Sequence, residues 1–193
     1  IGPEGAQAIA DLINIHPNLN KICLFNNNIG DLGSQYISKA LKVNKVLNNL
    51  NLGKNFINDN GAKEIANALK INKTLTNLNL ATNSINDKGA KEIVNALRDN
   101  KTLNTLGILL NKINSVDIDM IYSLLDRNKK LYMLSSISHR TQNIRELKRY
   151  VNNTNIDPLV KECAKQKIRE ICNLHRIFNF HGSSFNPIAD NKY

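Results

Sequence analysis

The chain has no tryptophan, and aromatic residues make up only 5% of its 193 positions. Apolar residues still reach 41%, so any core has to be built from stacked aliphatic side chains rather than aromatic bulk. Cysteine is scarce as well. Cys23, Cys163 and Cys172 are an odd, scattered set, which argues against a disulfide framework and for a reducing, intracellular (cytoplasmic) setting. There is no Cys-x-x-Cys knuckle, and the separation of Cys163 from Cys172 puts them on opposite flanks of a helix. Strung together with His175 and His181 they make a poor zinc set. Cys23 has no base in register to turn it into a nucleophile. Glycines are single and widely spaced, so no loop cradles phosphate. No apolar run approaches the roughly 18 residues of a membrane helix. These absences lead us to expect no enzyme, no cofactor, no metal and no membrane span.

What the chain has is self-similarity. Gly5, Gly33, Gly61 and Gly89 stand 28 residues apart, each followed by a segment of helical character and then by Leu-x-x-Leu-x-Leu-x-x-Asn-x-Ile. The columns are Leu19, Ile22, Leu24, Asn27, Ile29; Leu47, Leu50, Leu52, Asn55, Ile57; Leu75, Leu78, Leu80, Asn83, Ile85; and Leu103, Leu106, Ile108, Asn111, Ile113. A degraded fifth copy starts at Asp117, keeping Leu131 and Leu134 but placing Ser136 and His139 where Leu and Asn are due. A fixed period of this size marks a solenoid, in which no unit buries its apolar face alone. The opening Ile1-Gly2-Pro3-Glu4-Gly5 matches Ile29-Gly30-Asp31-Leu32-Gly33, which predicts that the chain starts inside a repeat of a longer protein.

These columns resemble the leucine-rich repeat family, in its ribonuclease-inhibitor-like subtype. The resemblance covers residues 1 to about 137 and implies an α/β fold: a right-handed β-α solenoid, or horseshoe, with a parallel strand per repeat and binding on its concave face. The expected domains are repeats over 1–139, an α-helical C-terminal cap over 140–180 and a flexible tail over 181–193.

Each column has a physical task. The apolar residues alternate inward along a short strand, and their neighbours face solvent. Asn27, Asn55, Asn83 and Asn111 follow the strand, where side-chain amides can satisfy backbone groups orphaned by the bend. Ile37, Ser38, Leu41; Ile65, Ala66, Leu69; and Ile93, Val94, Leu97 give narrow helix faces toward the sheet. Asp31, Asp59 and Asp87 suit the N-cap. Asn44, Asn72, Asn100 and Asn128 suit a left-handed residue just past each helix.

A net charge of +10 invites a nucleic-acid reading, but its distribution does not support one. Lys42, Lys70 and Arg98, then Lys45, Lys73, Lys101 and Lys129, fall at helix C-termini, and the aspartates at N-termini, each complementing the helix dipole. One basic and one acidic edge result. The C-terminal helices carry the remaining excess, without aromatic interleaving for base stacking. They are read as Gln142–Asn153, with Ile144, Leu147 and Val151 on one face, and as a helix entered by Asp157 and Pro158 that runs to Phe178 past Val160, Ala164, Ile168 and Ile171.

The strand pattern also fixes the candidate binding face: Lys21, Asn49, Asn77 and Thr105 in one column, then Cys23, Asn51 and Asn79. Phe25 and Leu109 flank the small Gly53 and Ala81, with Lys54 and Thr82 beyond, and Met133 and Ser135 would extend the face in the fifth copy. We expect a non-enzymatic protein-interaction scaffold whose protein partner is acidic, with no nucleic acid involved and the oligomeric state open. Asparagine at 33 of 193 residues looks like AT-biased coding, and suggests a bacterial effector working in the host cytosol. The resemblance also offers two alternatives: a regulator of a small GTPase, like a GTPase-activating protein, or the sensor region of an intracellular immune receptor.

Overall fold

The computed structural model describes residues 1–136 and 142–178. The expectations for His139, His181 and the tail over 181–193 lie outside those residues, as do the side chains of His175 and Phe178. The elements run α1 (Pro3–Ile15), β1 (Lys21–Cys23), α2 (Gly30–Val43), β2 (Asn49–Asn51), α3 (Asp59–Ile71), β3 (Asn77–Asn79), α4 (Asp87–Asp99), β4 (Thr105–Gly107), α5 (Ser115–Ser136), α6 (Gln142–Asn152) and α7 (Pro158–Phe178). Two compact units divide between Lys129 and Lys130, inside α5.

The first unit is a mixed α/β array, consistent with a leucine-rich-repeat-like solenoid. Its four strands form one parallel sheet in the order β1-β2-β3-β4. They pair in strict register, Ile22 with Leu50, Leu50 with Leu78 and Leu78 with Leu106, so the period of the sequence is the period of the structure. Those four side chains point inward, joined by Leu24, Leu52, Leu80 and Ile108 from the strand exits and by Ile37, Ile65 and Ile93 from the helices. Full burial of such a side chain contributes about 1.5–3 kcal/mol, and stacking makes the contribution continuous from repeat to repeat. Alanines 40, 68 and 96 are all buried and take up little room in the helical layer.

Ser38 breaks the pattern. It is buried where Ala10, Ala66 and Val94 stand in other repeats, and its hydroxyl has no hydrogen-bond partner. An unmatched buried hydroxyl costs about 1–3 kcal/mol. We therefore expect Ser38→Ala to raise stability by about 1 kcal/mol, read as a higher urea midpoint. An unchanged or lower midpoint would mean that the hydroxyl is solvated.

The structure corrects the assigned roles of two columns. Asp31, Asp59 and Asp87 do not cap their own helices; the residues at the α3 and α4 N-caps are Asn58 and Asn86, which make no side-chain cap bond. Each aspartate reaches instead to the next repeat. Asp31 Oδ1 accepts from the N–H groups of Asn58 (2.8 Å) and Gly61 (3.0 Å), and Asp59 Oδ1 from those of Asn86 (2.8 Å) and Gly89 (3.0 Å). The starts of α3 and α4 are thus each capped from the preceding repeat. Asp87 accepts from the Asn114 N–H at 2.7 Å, and bonding from Asn114 holds its carboxyl below the ordinary value of 3.8.

The second correction concerns the asparagines after each helix. Asn44, Asn72 and Asn100 have extended backbones, with φ from −75° to −66°, not left-handed ones. They are buried, and they form a second ladder. Asn72 Nδ2 donates to Leu41 O at 2.7 Å, and its Oδ1 accepts from the N–H groups of Thr74 and Leu75. Asn44 and Asn100 repeat the arrangement. Each ties the carbonyl end of the previous helix to the turn that starts the next strand.

The ladder changes at its last member, and no fifth strand follows among the described residues. The segment read as a degraded strand, with Met133 and Ser135 on the binding face, is the end of the 22-residue helix α5. Earlier ladder asparagines give their Oδ1 to two backbone N–H groups freed as the helix stops. Asn128 Oδ1 is taken instead by Arg127, whose Nε and Nη2 lie 3.2 and 2.9 Å away. Arg127 Nη2 also caps α4 through Leu97 O (2.7 Å) and Asn100 O (3.0 Å). The helix runs on past Asn128 to Ser136.

The second unit has its own apolar cluster: Leu134, Leu147, Val160, Ala164 and Ile171, with Ile144, Val151 and Ile168 packed against it. Asp157 caps α7, its Oδ1 accepting from the Leu159 N–H at 2.8 Å.

Candidate binding face

Because the inward residues are fixed by register, the outward ones form rows across the four strands. Lys21, Asn49, Asn77 and Thr105 align, as do Cys23, Asn51, Asn79 and Gly107. Hydrogen bonding continues past the strands, from Leu24 N to Asn51 O and from Asn26 N to Gly53 O, which carries the face out to Phe25, Gly53, Ala81 and Leu109. The polar middle is organised from within: Asn51 Oδ1 accepts from the Gly53 N–H and Asn79 Oδ1 from the Ala81 N–H.

The saddle expected between Phe25 and Leu109 is partly filled. A side-chain carbon on Gly53 would stand 3.0 Å from Phe25 Cδ2, so the ring leans over the glycine. Half of Phe25 nevertheless remains exposed (50%), as does half of Leu109 (54%). The rows end at Asn26, Lys54, Thr82 and Leu110, all left-handed with φ between 56° and 60°. Outside glycine and asparagine that conformation is disfavoured by roughly 1–2 kcal/mol, most for β-branched Thr82. It turns the chain off the face, so Lys54 and Thr82 belong to the rim and not to the strands.

The asparagine ladder behind that rim supports it. Asn83 Nδ2 donates to Leu52 O and Leu80 O, both at 3.0 Å, while its Oδ1 accepts from the N–H groups of Asn55 (2.9 Å) and Ile57 (3.0 Å). Asn55 bonds likewise to Leu24 O and Gly53 O, and Asn111 to Leu80 O and Ile108 O. Asn27 bonds to Leu24 O and Phe25 O.

Among the described residues no group of three or more His, Cys, Asp or Glu is placed to hold a metal, and no helix is long and apolar enough to cross a membrane. Cys23 is exposed on the face. Cys163 is half-buried in α7, where desolvation and then the charge of Glu170 push its thiol up, away from the reactive thiolate.

The chain matches no family model, and no curated protein matches it. Solved structures do. A leiomodin-1 chain described as actin-binding site 2 is similar with a TM-score of 0.63 and 26% identity, over 76% of this chain and 82% of that one. The C-terminal domain of a Caenorhabditis elegans tropomodulin gives a TM-score of 0.46 and 14% identity, over 67% and 96%. The likeness overturns the ribonuclease-inhibitor-like subtype expected from the sequence. The quoted columns are inward-facing residues that any leucine-rich repeat needs, and they do not distinguish its branches.

Proposed function

We propose that this chain is a non-enzymatic protein-interaction module and that actin is its partner. The observation that carries the reading is the likeness to leiomodin-1 actin-binding site 2 over most of both chains. The open sheet face supports it, with a self-bonded polar middle between two half-exposed apolar groups, Phe25 and Leu109. An aromatic group of that kind is a common interface anchor. The effector reading, with the interaction taking place in a host cytosol, belongs to the same proposal and rests on the asparagine-rich composition.

The face is too small to act alone. Four strands about 4.8 Å apart and three residues long make a strip of about 14 by 10 Å. A standard interface needs about 800 Å² per partner, so contacts must extend onto a rim. The test is co-sedimentation with filamentous actin and calorimetry with monomeric actin. Wild type should bind one form, and Phe25→Ala and Ala81→Lys should each weaken it about tenfold, with unchanged circular dichroism. Absence of binding to either form sinks the actin assignment. Binding that both variants leave intact moves the site off the sheet face.

A further inference from the structure

The edge opposite the left-handed turns carries a ladder of a different kind. Ile15, Val43 and Ile71 are the last residues of α1, α2 and α3, and each stands 28 residues from the next. All three are exposed, at 78%, 65% and 52%. The column stops there, since Asp99 ends α4 and buried Arg127 follows. Three large aliphatic groups in one place of three successive repeats are not the scattered apolar exposure that any surface shows. The fold does not require them, because Asp99 fills the same position in α4.

Cations flank the ladder. Lys42 and Lys70 precede Val43 and Ile71, and Lys45 and Lys73 follow just past the helix ends. Lys73 Nζ donates to the carbonyl of Lys70, so it stands over the helix terminus. None of these four lysines takes part in an ion pair among the described residues. The negative ends of the helix dipoles temper this edge but leave it net cationic.

We infer that this edge binds an acidic amphipathic helix of a protein partner, laid across α1, α2 and α3. Spacing and charge both select that occupant. Packed helices lie about 8–10 Å apart, so the three rungs repeat at that interval. Seven residues of an α-helix rise about 10.5 Å, so apolar side chains at every seventh position meet successive rungs. Acidic residues beside them meet the lysines, which adds orientation and speeds encounter. An anionic membrane shares the charge logic, but the rungs contain none of the Trp or Tyr that anchors proteins at a lipid interface. The site is separate from the sheet face and does not depend on actin being the partner there.

The probe is a labelled alanine-based peptide of about 21 residues, with leucine at every seventh position and glutamate flanking each leucine. Its binding to the full chain is read by fluorescence polarisation at low and high salt. We expect saturable binding that weakens with salt, and a loss of about tenfold or more in affinity for Val43→Glu combined with Ile71→Glu. Val43→Ser with Ile71→Ser, which adds no charge, should lose affinity less but measurably, and circular dichroism should show both proteins folded. Phe25→Ala should bind the peptide as wild type does, which separates this edge from the sheet face. The inference is overturned if the peptide fails to bind, if a lysine-for-glutamate peptide binds equally well, or if both double variants bind like wild type. It is also overturned if vesicles containing phosphatidylserine capture the chain while the peptide does not.

Discussion

Asn100→Ala should cost about 3 kcal/mol or more of stability, a large share of the 5–15 kcal/mol typical of a folded domain. Asn100 is fully buried. Its Nδ2 donates to Leu69 O at 2.7 Å and Asn72 O at 3.1 Å, and its Oδ1 accepts from the N–H groups of Thr102 at 2.9 Å and Leu103 at 2.8 Å. Truncation deletes four bonds and strands two donors and two acceptors where water has no ready access. Each orphan costs about 1–3 kcal/mol, and partial relaxation keeps the sum below four full penalties. Asn79→Ala is the matched control. That residue is half-buried and makes one local bond, to the Ala81 N–H, so its loss should stay under about 1 kcal/mol. Urea unfolding of the two variants measures the contrast, and amide exchange at Thr102 and Leu103 should accelerate only in Asn100→Ala. Equal midpoints would show that the buried ladder is not what joins the repeats.

Both ladders were legible as columns, because in each of them asparagine recurs four times at the 28-residue period. Only one was legible as chemistry. The strand-exit ladder follows from a local need, the bend after the strand, which a reader of one repeat can see. Both ladders also satisfy carbonyls 31 residues earlier in the chain, Asn83 with Leu52 and Asn72 with Leu41, and those partners are defined only once repeats are stacked. The aspartates misled for the same reason. Asp59 stands where a local cap is plausible, yet its acceptor serves Asn86 and Gly89 in the following repeat. Arg127 left no periodic trace at all, since it occurs once, yet it takes the Oδ1 that the other ladder asparagines give to backbone N–H groups. The sheet face was readable down to its rows, because alternation forces it. The partner was not, since outward residues such as Lys21, Asn49, Asn77 and Thr105 are held to no fixed identity by packing.

Gly61→Ala sets two local rules against each other, and the structure decides between them. Alanine is the better helix former by about 1 kcal/mol, so propensity alone predicts a gain. Gly61 sits in the first turn of α3, however, directly against the preceding repeat. A β-carbon there would stand 2.6 Å from Asp31 Oδ1, 2.7 Å from Ile57 Cγ2 and 3.2 Å from Asp31 Cα. Rotating the Asp31 side chain relieves only the first of these contacts, and doing so withdraws the carboxylate from the N–H groups of Asn58 and Gly61. Overpacking costs about 1–3 kcal/mol, and a lost cap about 1 kcal/mol more. The net expectation is a loss of about 2 kcal/mol, whereas Asn95→Ala, at an exposed helical position, should change stability by no more than a few tenths. A double-mutant cycle isolates the cause. In an Asp31→Ala background the cap is already gone and the nearest oxygen removed, so adding Gly61→Ala should cost at least 1 kcal/mol less than in wild type. If the cost is the same in both backgrounds, the glycine is required by its own helix and not by its neighbour, and capping from repeat to repeat is not what selects it.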